Sequence, residues 1–159
     1  MPLVARPARR YAASVEDDIR AIMATPLSRA GGALLMLAGF FTALLGVQSL
    51  LVLRFEGLAV AVVVVQLLLG IATFGLGVGV VRVRGWAAIG GTVSAALMAL
   101  CGVVYLVLAL LGGLFSLLAV GVVPLAAIAA LVAALNIGPG RRADAARERL
   151  RDQGLETGV

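Results

Sequence analysis

Three long uncharged runs divide the middle of the chain, and they constrain its fold more than any other feature. No Asp, Glu, Lys or Arg occurs within residues 30–53, 57–81 or 85–140. A helix needs about 20 apolar residues to cross about 30 Å of hydrocarbon. Each of the first two runs has the length of one span, and the third has the length of two spans with a turn. The runs therefore predict four transmembrane helices.

The third run contains one clear turn, LLGGLFS, because its paired glycines Gly112 and Gly113 are weak helix formers. The spans are expected at about 30–53, 57–81, 86–110 and 115–137. The predicted fold class is all-α: a polytopic membrane protein with four transmembrane helices arranged as two antiparallel hairpins. The domain organisation is an N-terminal tail over 1–29, a bundle over 30–137 and a C-terminal tail over 138–159, with a short amphipathic or charged helix in each tail.

The composition agrees with a membrane class. Hydrophobic residues make up 62% of the chain and charged residues 13%, whereas soluble domains have about 45–50% and about 25%. A soluble domain of this size could not cover so apolar a chain with polar surface. All 13 basic residues are arginine, which, together with abundant Ala, Gly, Val and Leu, is typical of a GC-rich bacterial genome.

The distribution of arginine predicts the orientation of the spans. Both tails and the central loop fall on one side of the membrane, and that side carries twelve arginines: Arg6, Arg9, Arg10, Arg20, Arg29, Arg82, Arg84, Arg141, Arg142, Arg147, Arg149 and Arg151. The other side has only Arg54, in the short turn RFEG. By the positive-inside rule, both termini are expected in the cytoplasm, and the location is a bacterial plasma (inner) membrane.

Several function classes are disfavoured by missing residue types. The chain has no histidine and one cysteine, Cys101, so a Cys/His zinc site, an intramolecular disulfide and a histidine base all lack their groups. No carboxylate lies within a span, which disfavours the proton-coupled exporters that also have four spans. We predict no catalytic, cofactor-binding or metal-binding residues. Cys101 is expected to be a packing residue.

Two glutamines are the clearest polar residues within the spans. Gln48 lies in the outer part of span 1, and Gln66 lies nearer the middle of span 2. One interpretation is a polar cavity for a small solute, and the other is an interhelical hydrogen bond worth about 0.6 kcal/mol. We favour the hydrogen bond. Pro124 lies inside span 4 and predicts a kink, either as a shape feature or as a hinge.

Small residues recur every four positions in the last two spans. Such faces allow helix backbones to approach closely in lipid. The expected helix-packing residues of these spans are Gly91, Ala95 and Ala99 in span 3 and Ala126, Ala130 and Ala134 in span 4, followed by Gly138. Packing within the chain is the favoured interpretation, and the alternative is an interface with a second copy or with another membrane protein.

The stretch GLGVGV over Gly75–Val80 resembles a phosphate-binding loop but fits none. Val80 stands where the dinucleotide fingerprint needs its last glycine, and the stretch ends an uncharged span instead of following a strand. We therefore predict that the glycines of this stretch form a thin part of the helix for packing; they are Gly75, Gly77 and Gly79. Arg82 and Arg84 are expected to anchor the central loop, with Trp86 in the interfacial aromatic belt.

The two tails contain shorter helical patterns. Ser14 and Asp17 resemble a capping box, an apolar face follows, and Thr25-Pro26 is expected to end that helix. It either lies on the inner leaflet, which we favour, or docks a partner. In the C-terminal tail, GPG over 138–140 is expected to break the helix. The charged segment after it is expected to be solvated and held near anionic headgroups by Arg141 and Arg142.

The run GLGVGVVRVRGWA over Gly75–Ala87 resembles a pattern found in many small, uncharacterised bacterial four-span inner-membrane proteins. That resemblance implies a four-helix bundle in the inner membrane and no particular activity. The bilayer is the expected partner, with a homo-oligomer or another membrane protein as a second one. A nucleic-acid partner is not expected, because the charged tail is nearly balanced and lacks aromatic residues.

The sequence leaves three functional hypotheses. The favoured one is a non-catalytic accessory, assembly or regulatory component that acts through helix faces and tails. The second is a small channel or transporter for a neutral or apolar solute, using Gln48, Gln66 and the bend at Pro124. The third is an intramembrane enzyme, for which we find no acid, base, metal ligand or activated nucleophile in a suitable set.

Overall fold

A computed structural model describes residues 5–52, 58–111 and 117–155 of the chain. Over these residues it is all-helical. The helices are α1 (Ala5–Ile22), α2 (Pro26–Val52), α3 (Leu58–Val81), α4 (Gly85–Leu111), α5 (Leu117–Leu135) and α6 (Ile137–Asp152). The predicted turns at Arg54 and at Gly112-Gly113 lie outside the described residues.

Helices α2 to α5 pack around one another in chain order, and α5 returns to contact α2. The α2–α3 pair makes the most extensive contact and is antiparallel, because Gly32 meets Gly77 while Gly39 meets Gly70. The two backbones are very close there: a Cβ on Gly39 would lie 2.5 Å from the carbonyl oxygen of Gly70. Only glycine permits this distance between helix axes.

The core lies between these four helices and consists largely of small side chains. Leu35 of α2 packs on Gly91 of α4 and is fully buried. The other members of the buried cluster are Ala38, Val80, Ala87, Ala88, Ala95, Met98, Ala126, Ala129 and Ala133. A core rich in alanine brings the helices close together, so dispersion contacts between backbones replace those of large side chains.

Three helical stretches are long and apolar enough to cross a membrane, namely residues within Ser14–Leu51, Val63–Val81 and Gly85–Val107. A fourth is obtained if the bent pair Val120–Leu135 and Ile137–Asp152 counts as one span. Large apolar side chains remain exposed along these helices, including Leu51, Leu68 and Leu131. Such surfaces suit a hydrocarbon environment, and the described part of the chain is all-helical with three to four candidate spans.

Two predictions about the ends of the first helices need correction. The capping box at Ser14 is wrong, because α1 begins at Ala5 and Ser14 lies inside it. The prediction of an end before Pro26 is confirmed, since α1 ends at Ile22. Thr25 then caps α2: its Oγ1 accepts a hydrogen bond from the backbone N–H of Ser28 at 3.1 Å. Pro26 suits the first turn of α2 because no partner is needed for its missing N–H.

The break between the last two helices lies at Asn136, not at GPG as predicted. The two helices meet at an angle of 44°, and the GPG residues belong to the first turns of α6. Pro139 explains the position, since it has no N–H to donate to the carbonyl of Leu135 and its ring would crowd that carbonyl. Helix α5 itself continues through Pro124 without a break.

Candidate functional site at the loop–tail junction

Three segments that are far apart in sequence meet at one end of the helix bundle. They are the central loop with the start of α4, helix α6, and helix α1. Helix α6 contacts both α1 and α4. Within the described part of α2–α5, charged side chains lie only at this end of the bundle. We call the contact of residues 82–85 with residues 140–147 the loop–tail junction.

The loop begins with a helix-ending motif in which valine takes the usual place of glycine. The N–H of Arg84 bonds to the carbonyl of Gly79 at 3.1 Å, and the N–H of Val83 bonds to that of Val80 at 2.9 Å. These are the two hydrogen bonds of a Schellman motif. Val83 has a φ of 53° and is buried. A β-branched residue is strained in this left-handed conformation, so the surroundings must hold it there.

Arg147 of α6 supplies part of that support. Its Nη1 donates to the carbonyl oxygen of Val83 at 3.0 Å and its Nη2 to that of Arg82 at 2.7 Å. Burial lowers the pKa of the Arg147 guanidinium, and the nearby charge of Arg84 lowers it further, while Asp144 opposes both. An arginine remains charged despite such shifts. The guanidinium therefore donates hydrogen bonds to the two carbonyls that directly follow the last residue of α3.

Asp144 joins the same cluster and caps α4. Its Oδ2 accepts a hydrogen bond from the backbone N–H of Gly85 at 2.8 Å, and its Oδ1 pairs with Arg147 Nη1 at 2.9 Å. The capping carboxylate thus comes from a helix 59 residues away in sequence. A negative charge at a helix N-terminus is favourable because it meets free N–H groups and the positive end of the dipole.

Close backbone contact makes this geometry possible. A Cβ on Gly140 would lie 2.7 Å from the Cα of Gly85 and 3.3 Å from the carbonyl carbon of Arg84. A Cβ on Gly85 would lie 2.9 Å from the backbone nitrogen of Arg141. The absence of a side chain at both glycines allows α6 to approach the loop closely enough for Asp144 and Arg147 to reach it.

Helix α1 is held against α6 by a second ion pair. Arg149 donates from Nη2 to Oδ1 of Asp18 at 2.5 Å and from Nε to Oδ2 at 3.2 Å. The hydrogen bond from Arg149 lowers the pKa of Asp18, and burial partly opposes this effect. Asp18 thus faces α6, whereas Ile19 of α1 and Met23, which directly follows α1, remain 40% and 60% exposed. The exposed part of this apolar face, at Ile19 and Met23, can contact a bilayer surface or a partner.

The structure corrects the prediction that the C-terminal charged segment is solvated on all sides. Helix α6 has a buried face of small residues and one leucine: Gly140, Ala143, Ala146 and Leu150. Arg141 and Arg142 lie on its exposed side. The two arginines are therefore presented by a docked helix whose position is fixed by the loop and by α1.

Arginines without a carboxylate partner collect near the junction. Arg82, Arg141 and Arg142 are exposed, Arg84 is half-buried, and none of their side chains forms an ion pair within the described part of the chain. Trp86 follows the loop and is 64% exposed. Val81, the end of the apolar helix α3, directly precedes Arg82, and Leu135, the end of α5, lies six residues before Arg141.

Comparison of the chain with protein-family models, curated proteins and solved structures finds no match.

The structure places the two glutamines of the predicted polar pair on different sides of their helices. Gln66 is 6% exposed, whereas Gln48 lies on the exposed surface of α2. No hydrogen bond joins them or involves either side chain among the described residues. Gly46 of α2 contacts Leu67 of α3, so Gln66 lies at a depth close to that of Gln48. The two side chains are separated because Gln48 points away from the buried face of α2.

A buried hydroxyl pair, which the sequence analysis did not single out, connects α3 with α4. Thr73 donates to the carbonyl of Leu69 at 2.8 Å, and its Oγ1 lies 3.0 Å from Oγ of Ser94 and 3.6 Å from the sulfur of Met98. Hydroxyls that bond to their own helix backbone satisfy themselves in an apolar setting. This pair supports packing of α3 against α4.

Other buried polar side chains lack such partners. Thr42 and Ser49 of α2 are 1% and 4% exposed, and Gln66 of α3 is 6% exposed. None of the three has a side-chain hydrogen bond among the described residues. Thr42 and Ser49 continue the row of α2 that packs Leu35 onto α4, and Gln66 continues the row of α3 that contains Thr73. Leu35 and Thr73, the members of these rows whose contacts are given, face α4.

The predicted packing glycines of span 2 lie in three different environments. Gly77 is buried against α2, where a Cβ would meet the carbonyl oxygen of Gly32 at 2.7 Å. Gly79 is buried against Ala87 at the start of α4. Gly75 is exposed and has open space around it. Gly39 and Gly70 are not among the predicted packing glycines, although Gly32, Gly39 and Gly46 recur every seven residues.

The predicted small-residue faces also divide. In α4, Gly91 and Ala95 are buried and Ala99 packs at the edge of the core. In α5, Ala126 is fully buried, Ala130 is partly buried, and Ala134 is exposed. The buried row of α5 is instead Ala126, Ala129 and Ala133. A step of four residues drifts by about 40° per step around a helix with 3.6 residues per turn, so it leaves the buried face.

The remaining candidate features are few. Cys101 is a free, half-buried thiol, and no cluster of three or more His, Cys, Asp or Glu side chains suited to a metal ion occurs among the described residues. An apolar groove of about 250 Å³ opens beside α5, lined by Phe41, Gly121, Val122 and Leu125. The loop–tail junction therefore has the most specific polar geometry in the described chain.

Proposed function

We propose that the protein is a non-catalytic, multi-pass component of a bacterial inner membrane. It crosses the membrane four times with both termini in the cytoplasm and acts as an accessory, assembly or regulatory component. In this role it presents the tail helices α1 and α6 as one unit to a partner membrane protein or to a second copy of the chain. The observation that carries the proposal is the loop–tail junction with α1 docked on it.

The charge pattern supports this orientation. Both tails and the central loop meet at the end of the bundle that carries twelve of the thirteen arginines. An odd number of spans would place α1 and α6 on opposite sides of the bilayer, where Asp18 could not pair with Arg149. Four spans agree with both the arginine bias and this contact.

The shape of the unit supports a binding role over a solvated tail. Helix α1 uses its acidic side to dock on α6 and leaves Ile19 and Met23 exposed at the same end of the molecule. An amphipathic helix with a free apolar face binds either the bilayer surface or a complementary apolar face. Because α6 fixes its position, α1 can present this face in a defined direction.

The test combines topology with partner capture. Single cysteines placed in α1 and α6, in a Cys101→Ser background, should react only with reagents that enter the cytoplasm. Affinity purification from native membranes after crosslinking should recover a specific membrane protein or a second copy. Arg149→Ala, which frees α1, should reduce that recovery, and Arg151→Ala on the same helix should not. Tail cysteines labelled from outside, or a lone monomer without crosslinks, would overturn the proposal.

A second candidate function is passage of a small neutral solute. The observation in its favour is the set of buried polar side chains without partners, Thr42, Ser49 and Gln66, because such groups normally bond to water or to a ligand. Gln66→Leu should abolish solute flux in proteoliposomes, while Gln48→Leu on the exposed surface of α2 should leave it unchanged. Flux that is equal in both variants, or absent in the native chain, would reject this function.

A further inference from the structure

We propose that Arg82, Arg84, Arg141 and Arg142 together form a binding site for the phosphate of an anionic phospholipid headgroup. The proposal rests on the membrane-spanning part of the proposed function. It goes beyond that function because it assigns a ligand class to a particular cluster of side chains. We call these residues the four-arginine cluster.

Backbone contact brings together the two distant segments that carry the four-arginine cluster. The glycines between the arginine pairs touch, since a Cβ on Gly140 would lie 2.9 Å from the nitrogen of Gly85. Arg84 precedes Gly85 directly, and Arg141 follows Gly140 directly. The Schellman motif and the hydrogen bonds from Arg147 fix the loop side of this contact. The cluster is therefore a product of the fold, and not of one basic stretch of sequence.

No described carboxylate forms an ion pair with the four-arginine cluster. Asp144 is the one described carboxylate that bonds within the junction, and it is already used by Gly85 and Arg147. Arg147 adds a fifth positive charge beside Arg84. Like charges at one end of the molecule repel one another, as Arg84 and Arg147 do, so an anion that binds there relieves the repulsion and forms charge-assisted hydrogen bonds. Guanidinium groups suit a phosphate because they can donate two parallel hydrogen bonds.

The depth of the cluster favours lipid as the source of the phosphate. Arg82 and Arg84 lie between the end of α3 and the start of α4, and Arg141 and Arg142 lie near the start of α6, which follows α5. A bilayer changes from hydrocarbon to headgroups at the ends of its spanning helices. Trp86, the only tryptophan of the chain, is exposed beside the cluster. Basic pockets between membrane helices on the cytoplasmic side are typical sites for anionic headgroups.

Trp86 also provides the measurement. The full chain is reconstituted in phosphatidylcholine vesicles with a small fraction of brominated phosphatidylglycerol, and separately with the same fraction of brominated phosphatidylcholine. Bromine quenches the tryptophan only on contact. We expect clearly stronger quenching by the phosphatidylglycerol. The preference should fall by about fivefold for each arginine replaced in Arg141→Gln, Arg142→Gln and their combination.

Two controls keep the result specific. Arg151→Gln removes an exposed arginine from the far end of α6 and should leave the preference unchanged. Circular dichroism and thermal unfolding should match the native chain for each variant, since the replaced side chains are exposed. Equal quenching by both lipids, or an unchanged preference in the Arg141→Gln/Arg142→Gln chain, would overturn the proposal.

A further arm separates lipid phosphate from soluble phosphate. Inorganic phosphate is added to the vesicles and compared with chloride at equal ionic strength. If phosphate abolishes the lipid preference and chloride does not, the cluster binds soluble phosphate and the lipid assignment is wrong. The quenching measurement requires no partner protein. If the lipid preference is retained but no partner is recovered, the accessory role is rejected and the lipid-binding site is supported.

Discussion

Gly85 and Gly140 lie in backbone contact, although 55 positions separate them in the chain. This contact sets the distance from which Asp144 caps α4 and Arg147 reaches the carbonyls of the central loop. Both positions therefore require glycine, because any side chain would force the two backbones apart.

Gly140→Ala should destabilise the folded chain because its methyl group would lie 2.7 Å from the Cα of Gly85. The overlap involves backbone, which cannot move aside cheaply, and we expect a loss of about 1–3 kcal/mol in the free energy of unfolding. Denaturant titration in micelles, followed by circular dichroism, measures it. Gly138→Ala is the matched control: its methyl group meets open space, so a gain of up to about 1 kcal/mol is expected. Similar losses in both variants would refute this account.

Asp144→Ala should cost more than Asp144→Asn. Alanine removes both the cap on Gly85 and the carboxylate partner of Arg147, whereas asparagine can still accept the hydrogen bond from Gly85. We expect alanine to lower the unfolding free energy by about 1–3 kcal/mol. Amide exchange at Gly85 should also become faster in the alanine variant. Asp152→Ala, at the exposed end of α6, should change stability by less than about 0.5 kcal/mol. Equal effects of alanine and asparagine would contradict the capping role.

Gly39→Ala and Gly70→Ala should weaken the contact of α2 with α3. A methyl group on Gly39 would overlap the carbonyl oxygen of Gly70, and one on Gly70 would lie 2.7 Å from the nitrogen of Ala43. Each substitution forces the helices apart and should lower the unfolding free energy by about 1–3 kcal/mol. Gly75→Ala, which meets open space on the same helix, should be neutral or stabilising. Steric trapping or denaturant titration in micelles would detect the difference, and an equal response at Gly75 would exclude this explanation.

The docking of α1 on α6 should weaken in acid. The folded state lowers the pKa of Asp18 through its hydrogen bond with Arg149, so the unfolded state binds a proton more readily. The stabilisation is complete above the ordinary aspartate value of about 3.9 and is lost as the pH falls through the lowered pKa. Spin labels at positions 17 and 151, in a Cys101→Ser background, should show the α1–α6 distance increase over that range.

Asp18→Asn should separate the two helices already at neutral pH and remove the acid transition. Glu16→Gln serves as the control, because Glu16 pairs with Arg20 within α1 and both side chains are largely exposed. It should leave the distance between the labels unchanged. An acid transition that persists in Asp18→Asn would show that another group causes it.

The sequence predicts the long helices well because charge marks their ends. Helix α3 was expected over 57–81 and occupies Leu58–Val81, and α4 was expected over 86–110 and occupies Gly85–Leu111. Helix α2 begins four residues before its expected span because Thr25 caps it. The apolar pattern predicts the segment that would lie in hydrocarbon, and a helix can continue beyond that segment.

The sequence predicts contacts between elements less well. Counting from a turn gives the depth of Gln48 and Gln66 but not their direction, since each residue turns a helix by about 100°. The buried face of α6 could have been predicted from the spacing of small and apolar residues on one side of the helix: Gly140, Ala143, Ala146 and Leu150. The surrounding charges made that helix look solvated. The contacts of α6 could not be predicted from the sequence. The loop carbonyl of Val83 lies 64 positions from its partner, and Asp18 lies 131 positions from its partner. No sequence pattern at either site indicates the partner.

The cap on α4 also has a consequence for the order of synthesis. A ribosome releases the start of α4 long before it makes Asp144, and it makes Asp18 of α1 131 residues before Arg149, its partner. The membrane helices can therefore insert while α1 and the loop still lack their final contacts. Only the emergence of α6 completes the structure, so a nascent chain cut before Asp144 would carry its apolar helices but present an unfinished surface to the quality-control machinery of the cell.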